Sequence, residues 1–260
     1  MDNRYANLFN LHNKVIWVAG GSGAIGGEMA CALAAYGAQV AVSGRSLTSC
    51  QPMVEAITQA GGQAIAVPLD VEDQASIQAA ADQVVAAFGP LHVLINAAGT
   101  HIEEPAAEMS SSSWDKVMDV NLKGAFMLSQ AAARSMISAQ IPGSIVHVTS
   151  VRSGLGIRRG YAAYVASKGG LAMLIKQLAS EWAQYGIRVN GIAPTFTRTP
   201  LVDKYLNDPD FYQALVDRIP MGRVCETLDL AGLAVFFAAD ASAFITGQNV
   251  FVDGGVTSCQ

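Results

Sequence analysis

A tyrosine and a lysine stand four positions apart in the stretch "YAAYVASKGG", at Tyr164 and Lys168. On a helix that spacing puts both side chains on one face, about one turn apart. A phenol has an ordinary pKa near 10, so proton exchange near neutrality requires its anion to be preferentially stabilised by roughly 4 kcal/mol. An ammonium about 4 Å away, at an effective dielectric near 20, supplies energy of that order. The pair reads as a phenol made acidic by its lysine. Tyr161 is a rival phenol, but only Tyr164 has a lysine at i+4. A hydroxyl, Ser150, precedes Tyr164 by 14 residues at the end of "SIVHVTS".

Such a pair needs a scaffold to hold it against a reacting carbon. Short β-branched runs recur as "VIWVAG" from Val15, "QVAVSG" from Gln39, "AIAVPLD" from Ala64, "LHVLINAAG" from Leu91, "SIVHVTS" from Ser144, "IRVNGIAP" from Ile187 and "NVFVDGG" from Asn249. Between them lie Ala-rich segments of helical period, among them 25–36, 73–88, 112–139, 161–185 and 228–240. Strands that are nearly continuous apolar runs belong to parallel sheets buried on both faces. The expectation is an α/β fold: a Rossmann-type, doubly wound parallel sheet of about seven strands with helices on both faces, forming a single domain over residues 1–260. A mixed helical insertion interrupts the rhythm at about 200–225. In such sheets ligands sit outside the carboxyl ends of the strands, so the chemistry is sought in the segment after each strand.

After the first run, "AGGSGAIGG" sets Gly20, Gly21, Gly23, Gly26 and Gly27 at the mouth of a helix, with Ser22 and Ile25 among them. Glycines let the backbone approach a ligand closely, and a helix N-terminus offers free N–H groups to a diphosphate. An NAD site ordinarily carries an acid for the ribose about 20 residues further on. "VSGRS" has none. Arg45 can fork onto a 2'-phosphate with Ser46 beside it, so NADP(H) is favoured over NAD(H). Asp70, with Val71 after it, either accepts from an adenine amino group or caps the next helix. Asn96 and Gly99 in "INAAG" place a polar side chain and a permissive backbone where the cofactor ribose would lie.

Composition removes other classes. The 260 residues are 51% hydrophobic and 14% charged, enough for a large core. No run approaches the roughly 20 apolar residues of a membrane span. "MDNRYANLFNLHNK" has no apolar stretch behind a basic start, which speaks against a secretory leader. Cys31, Cys50, Cys225 and Cys259 are scattered without metal-ligand or disulfide spacing, so a cytoplasmic protein without a metal centre is expected. A net charge of -5 with no basic face argues against nucleic acid as a partner.

In order along the chain, "AGGSGAIGG", "NAAG", "NLKG", the Tyr164 and Lys168 pair, "IAPTFTRTP" and "ITGQNVFVDGG" make the protein similar to the short-chain dehydrogenase/reductase family over nearly its whole length. The resemblance implies a catalytic set of Asn121, Ser150, Tyr164 and Lys168. Tyr164 is then the general acid or base and Ser150 orients the substrate oxygen. Lys168 holds the nicotinamide ribose and lowers the phenol's pKa, and Asn121 places a water in the proton relay. The resemblance also implies cofactor contacts at Pro194 and Thr199. It further implies a homotetramer assembled through the helices at 112–139 and 161–185, joined by "FVDGGVTSCQ". The chain departs from the family at Ala19 and Ala24 in the glycine turn, and at Thr195, where the family has glycine after proline. Ser150 stands one residue further from Tyr164 than in many relatives, which makes Ser153 the reserve.

The reaction these parts imply is hydride transfer between a nicotinamide and a carbinol or carbonyl carbon, with Tyr164 moving the proton. Arg152, Arg158 and Arg159 lie between Ser150 and Tyr164, and "TFTRTP" adds Arg198. Arginine forks suit a carboxylate, sulfonate or phosphate; the alternative is arginines at the surface or in subunit contacts. His101, Glu103 and Glu104 either hydrogen-bond substrate hydroxyls or form a polar loop. The expected substrate is a small hydroxylated anion, a sugar acid foremost, as in sugar and sugar-acid oxidoreductases of the gluconate 5-dehydrogenase type; a 3-oxoacyl thioester is the alternative. In the family the 200–225 stretch covers the substrate, with Tyr205, Phe211 and Tyr212 as its apolar side or as ordinary packing. A catalytically silent cofactor sensor ranks low because the Tyr, Lys and Ser set is intact. Epimerisation or dehydration on this fold would call for a larger substrate domain.

Overall fold

Along Val15–Ala19 every residue is buried, and the run alternates between the two faces of a sheet. Val15, Trp17 and Ala19 join one apolar cluster, Ile16 and Val18 the other. That two-sided burial is what a β-branched run with no polar break dictates, and it places this strand in the middle of the fold. A computed structural model describes Tyr5, residues 7–200 and residues 202–259.

The strands are β1 (Val15–Ala19), β2 (Gln39–Gly44), β3 (Gln63–Pro68), β4 (Val93–Asn96), β5 (Gly143–Val148), β6 (Ile187–Pro194) and β7 (Asn249–Val252). They form one seven-stranded sheet in the order β3-β2-β1-β4-β5-β6-β7, parallel at every pairing. The helices are α1 (Ala24–Ala35), α2 (Leu47–Gln59), α3 (Gln74–Phe88), α4 (Ser111–Met118), α5 (Gly124–Ser138), α6 (Ala162–Trp182), α7 (Asp203–Leu206), α8 (Pro209–Val216) and α9 (Thr227–Ala238). Met29 and Leu33 of α1 and Phe237 of α9 pack on one face of the sheet. Ile77 of α3, Leu128 of α5 and Ile175 of α6 pack on the other. The expected α/β Rossmann-type fold is the one observed. The strand order reverses between β1 and β4, and the carboxyl ends of those two strands border the crevice where such sheets take ligands.

Two features differ from expectation, and the insertion at 200–225 is helical as expected, with α7 and α8. The helix expected over 112–139 is two helices, α4 and α5, joined by a π-helical turn at Asp119–Lys123. The extra residue in that turn lets buried Asn121 point inward while α5 begins at Gly124, where a Cβ would stand 2.6 Å from the Val71 carbonyl. The two edge strands are not fully buried: β3 exposes Gln63 and Pro68, and β7 exposes Val250 and Phe251, because nothing among the described residues pairs with their outer sides. The insertion builds a small core of its own, in which Leu206, Ile219 and Val224 pack with Phe196, Val202 and Tyr212. Phe211 lies 5.6 Å from Tyr205 and 5.9 Å from Phe196, ring centre to ring centre. Leu201 in this insertion and Gln260 in the closing segment lie outside the described residues. Among the described residues no helix is long and apolar enough to cross a membrane.

Two helical glycines test this packing. A Cβ at Gly26 would run into the Gly20 carbonyl oxygen well inside van der Waals contact, whereas one at Gly232, on the exposed side of α9, would meet nothing within 4 Å. Gly26→Ala is expected to lower the unfolding free energy by roughly 1–3 kcal/mol through overpacking. Gly232→Ala should raise it by roughly 0.5–1 kcal/mol through helix propensity and loss of unfolded-state entropy. Denaturant titration of both variants checks the pair, and equal midpoints would contradict the turn geometry.

Candidate active site

β5 ends at Val148, and Thr149 and Ser150 lead into a short turn at Val151–Ser153. Tyr164 lies in the first turn of α6 and Lys168 one turn later, both on the side facing the end of β5. Lys168 is only 4% exposed; its Nζ donates to the Val148 carbonyl at 2.9 Å and stands 5.7 Å from the centre of the Tyr164 ring. Burial lowers the lysine's pKa from 10.5 to about 8.

The phenol does not behave as its spacing suggested. Burial pushes the pKa of Tyr164 up, and the influences that pull it down are a hydrogen bond with Ser150 and the charge of Arg152. The expectation that Lys168 makes the phenol acidic is therefore corrected for the protein alone: desolvation outweighs the nearby charges, and the ammonium is aimed at a backbone carbonyl. The hydroxyl beside the phenol is that of Ser150, which is 8% exposed. Ser153 stands behind it and donates to the Ser150 carbonyl at 2.7 Å. Tyr161 lies outside this pair, with its ring centre 6.1 Å from that of Tyr164.

Asn121 is fully engaged. Its Oδ1 accepts from the Thr100 N–H at 2.8 Å, and its Nδ2 donates to the Thr100 carbonyl at 2.9 Å and to Ser167 Oγ at 3.1 Å. It ties the loop after β4 to α6. Asn96 likewise turns its side chain inward: Oδ1 accepts from the Ala98 N–H at 3.1 Å, and Nδ2 donates to Nδ1 of His147 at 3.2 Å. The polar side chain expected at the ribose thus serves the turn, and what this segment offers outward is backbone. His147, which its sequence context alone did not mark, is wholly buried and passes the chain on from Nε2 to Ser129 Oγ at 3.0 Å, which donates to the Ala125 carbonyl at 2.7 Å. Burial, and next the charge of Lys168, lower the His147 pKa to about 3, so the ring is neutral. A lone histidine inside an apolar strand was the signal available for it.

The residues at the carboxyl ends of β1, β2 and β4 fit a dinucleotide. α1 begins at Gly23 with no side chain capping it and no acid in its first turn, which leaves its N–H groups to an anion. Gly20 adopts φ +77° and packs so tightly on the turn after β4 that a Cβ would come within 2.6 Å of the Ala98 nitrogen. Ser22 lies against Gly44, at the end of β2. Ile25 is half-buried behind them. Arg45 is exposed and has no hydrogen bond or ion pair among the described residues, while Ser46 caps α2 by accepting from the Ser49 N–H at 3.2 Å. The cap of α3 is Asp73; Asp70 instead accepts from the Glu72 N–H at 3.0 Å through one carboxylate oxygen. A Cβ at Gly99 would stand 3.4 Å from Asn121 Oδ1 and 3.7 Å from Lys168 Nζ, in the space a ribose would need. Pro194 is buried at the end of β6, and Thr199 is half-buried beyond it. Among the described residues no group of His, Cys, Asp or Glu is placed to hold a metal.

The arginines divide. Arg159 forks onto Glu103 with bonds of 2.8 and 3.0 Å, and Arg198 pairs with Glu226 at 3.0 Å through Nε, so each of these guanidiniums already has a carboxylate partner. Glu104 is also occupied, accepting from the Ser110 N–H at 3.1 Å and Ser113 Oγ at 2.6 Å. Arg158 is exposed and makes no hydrogen bond or ion pair among the described residues. Arg152 is half-buried, uses Nη1 on the Gly156 carbonyl at 2.9 Å, and lies close enough to Tyr161 and Tyr164 for their charges to be felt. Arg218, at the end of the insertion, is the other cation acting on it and was not among the expected residues. His101 stacks 4.0 Å from the Tyr161 ring and 5.2 Å from the Tyr164 ring, and burial lowers its pKa.

A family model described as enoyl-(acyl carrier protein) reductase matches residues 19–257. The chain is 36% identical over 253 residues to the gluconate 5-dehydrogenase of Gluconobacter oxydans, covering 97% of this chain and 98% of that one. It is also 36% identical over 249 residues to 3beta-hydroxysteroid dehydrogenase 1 of Eggerthella lenta, covering 95% of each. Among solved structures, the gluconate 5-dehydrogenase from Burkholderia cenocepacia in complex with NADP and tartrate has a TM-score of 0.93 at 35% identity, covering 98% of this chain and 100% of that one.

The depressed lysine predicts a pH signature. Between its folded pKa of about 8 and its ordinary value of 10.5, the unfolded chain binds more protons, so stability rises with pH across that window. The wild-type protein should gain on the order of 3 kcal/mol relative to Lys168→Met between those limits. Denaturant titration of both at the two ends measures it, and parallel pH dependences would contradict the buried ammonium. By the same sign, stability is lost as pH falls from 6.5 towards 3 through His147, and His147→Asn should flatten that acid limb.

Proposed function

The chain belongs to the short-chain dehydrogenase/reductase family, and from that membership we propose an NADP(H)-dependent oxidoreductase that interconverts the secondary alcohol and ketone of a small anionic polyol, a sugar acid foremost. The observation that carries the substrate class is Arg152: a half-buried cation beside Tyr164 whose guanidinium keeps donors beyond the one given to Gly156. Two of the three relatives described above are named gluconate 5-dehydrogenases, one of them crystallised with NADP and tartrate, itself a hydroxylated dianion; the third is named for a hydroxysteroid.

The uncapped start of α1 and the glycine turn hold the diphosphate, and unpaired Arg45, with Ser22 and Ser46, takes the 2'-phosphate. Asp70, with one carboxylate oxygen on the Glu72 N–H, and Val71 would hold the adenine, and Thr199 and Pro194 would hold the nicotinamide. When bound, NADP(H) donates or accepts the hydride. Tyr164 delivers a proton to the carbonyl oxygen in reduction and removes it in oxidation, and Ser150 holds the same oxygen. Its raised pKa keeps the phenol protonated at neutral pH, the form that reduction uses. Lys168 would hold the ribose, and Asn121 keeps the Thr100 loop in register through its side chain. Tyr205, Phe211 and Tyr212 brace residues 200–225 as a cover over the substrate.

The assembly we favour is a cytoplasmic homotetramer. An apolar hollow of about 520 Å³ between α5 and α6 is lined by Met118, Leu122, Phe126, Met173 and Leu174, with Met173 62% exposed, a face suited to a second copy. The description of the matching family model favours one other substrate, an acyl thioester. A silent sensor is disfavoured by the intact Tyr, Lys and Ser set.

Nicotinamide absorbance with aldonates, uronates, sulfonated sugars, neutral sugars and 3-oxoacyl thioesters tests the reading. Turnover is expected with the anionic polyols and NADP(H), and should fall about 100- to 10,000-fold in Tyr164→Phe. Arg152→Ala should raise KM for the anionic substrate roughly 10- to 100-fold by removing a charged hydrogen bond, leaving KM for NADP(H) unchanged. Turnover confined to neutral sugars or acyl thioesters would sink the substrate assignment.

A further inference from the structure

β7 is an exposed edge strand, and its first residue reaches across β6 to the side chains that flank Ser150. Asn249 Oδ1 accepts from Thr149 Oγ1 at 2.6 Å, and Asn249 Nδ2 donates to Ser153 Oγ at 2.9 Å. Ser153 Oγ in turn donates to the Ser150 carbonyl at 2.7 Å, and Thr149 Oγ1 also reaches the Ile192 carbonyl at 3.1 Å. One amide therefore grips the residue before Ser150 and, through Ser153, the carbonyl of Ser150 itself. Room for it is made on β6: Gly191 lies opposite Asn249 in register, and any Cβ there would collide with Oδ1.

We infer that Asn249 is a positioning residue for the Ser150 hydroxyl, acting through Thr149 and Ser153 to aim it at the Tyr164 phenol. Among the described residues no other side chain fixes Ser150 from the β7 side, and the Ser150 hydroxyl has a further local tie in the Arg152 N–H it accepts at 3.1 Å. A serine at a strand end has three staggered settings of its side chain, and the backbone around it decides which one faces the phenol. Fixing both neighbours of the serine restricts that backbone. A catalytic hydrogen bond misplaced by a fraction of an ångström loses much of its value, which is why such supporting residues matter. The inference rests on the reading of Ser150 and Tyr164 as the working pair.

The test needs neither substrate nor cofactor for its first readout. The ultraviolet titration of Tyr164 is obtained as wild type minus Tyr164→Phe, and is repeated in Asn249→Leu, Ser153→Ala and the double variant. The titratable and charged groups facing the phenol, Tyr161, His101, Arg152 and Lys168, are unchanged in all of them. The phenol's pKa is expected to rise by about half a unit or more in each single variant, as it loses a well-aimed hydroxyl. The double variant should show no larger rise than either single one, the mark of one shared chain of bonds. In turnover, kcat should fall several-fold with KM for NADP(H) unchanged. A wild-type phenol titration and kcat in Asn249→Leu, even with a lowered melting temperature, would show a merely structural asparagine and overturn the inference. If Asn249→Leu does not fold, Ser153→Ala, which deletes a single oxygen, carries the same decision. Ser150→Ala separates the two levels: a phenol titration unmoved by it means that the Ser150 and Tyr164 pairing has failed, and the positioning role falls with it.

Discussion

A cation kept out of water is the constraint around which this site is arranged. Holding an ammonium in a protein interior costs roughly several kcal/mol even after relaxation, unless hydrogen bonds compensate. Lys168 offsets only part of that cost with the last carbonyl of β5, as its lowered pKa shows, and the bond ties the helix bearing Tyr164 to the strand that leads into Ser150. Burial chiefly, and next the same charge, keep a second cation out of the strand behind it. His147, the next residue inward, is held neutral and gives its two nitrogens to Asn96 and Ser129. Gly99 leaves the mouth of the lysine's pocket free of side chain. The strand ends are therefore registered to one another by a polar chain running behind the reactive face, from Ala98 through Asn96, His147 and Ser129 to Ala125.

On the substrate side, paired charges act as struts and unpaired ones as receptors. Arg159 is neutralised by Glu103 and lies over the Tyr161 ring at 5.7 Å, while Glu104 N–H donates to the Gly160 carbonyl at 3.0 Å. These bonds fasten the loop after β4 to the loop before α6, and the fastening stacks His101 on Tyr161 beside Tyr164. Arg198 and Arg223 similarly brace the base of the insertion against Glu226 and Asp229. Among the described residues Arg152, Arg158 and Arg45 have no carboxylate partner; Arg152 stands near the phenol and Arg45 at the end of β2.

The fold was readable because its signals are local. β2 and β6 coincide with their apolar runs, and α1, α3 and α9 begin within a residue of their periodic segments. The π-turn was not readable, since it arises from where Asn121 must point, and α2 hides behind Pro52, a residue that ordinarily ends a helix. In the site, the pairing of Tyr164 with Lys168 on one helix face was legible from spacing and Ser150 came from the resemblance, but the balance of forces on the phenol was not legible, because burial is a property of the finished fold. The pairing of Arg159 with Glu103 spans 56 positions, and nothing within a local window distinguishes a strut from a receptor.

Thr149 and Asn249 are 100 positions apart, and β7 is the last strand of the sheet in chain order. A ribosome therefore releases the tyrosine, the lysine and their helix well before it releases the asparagine. The six strands through β6 already carry the glycine turn, whereas the Thr149 and Ser153 side chains find their Asn249 partner only in β7. The brace on the segment around Ser150 is therefore among the last long-range contacts that vectorial folding can form.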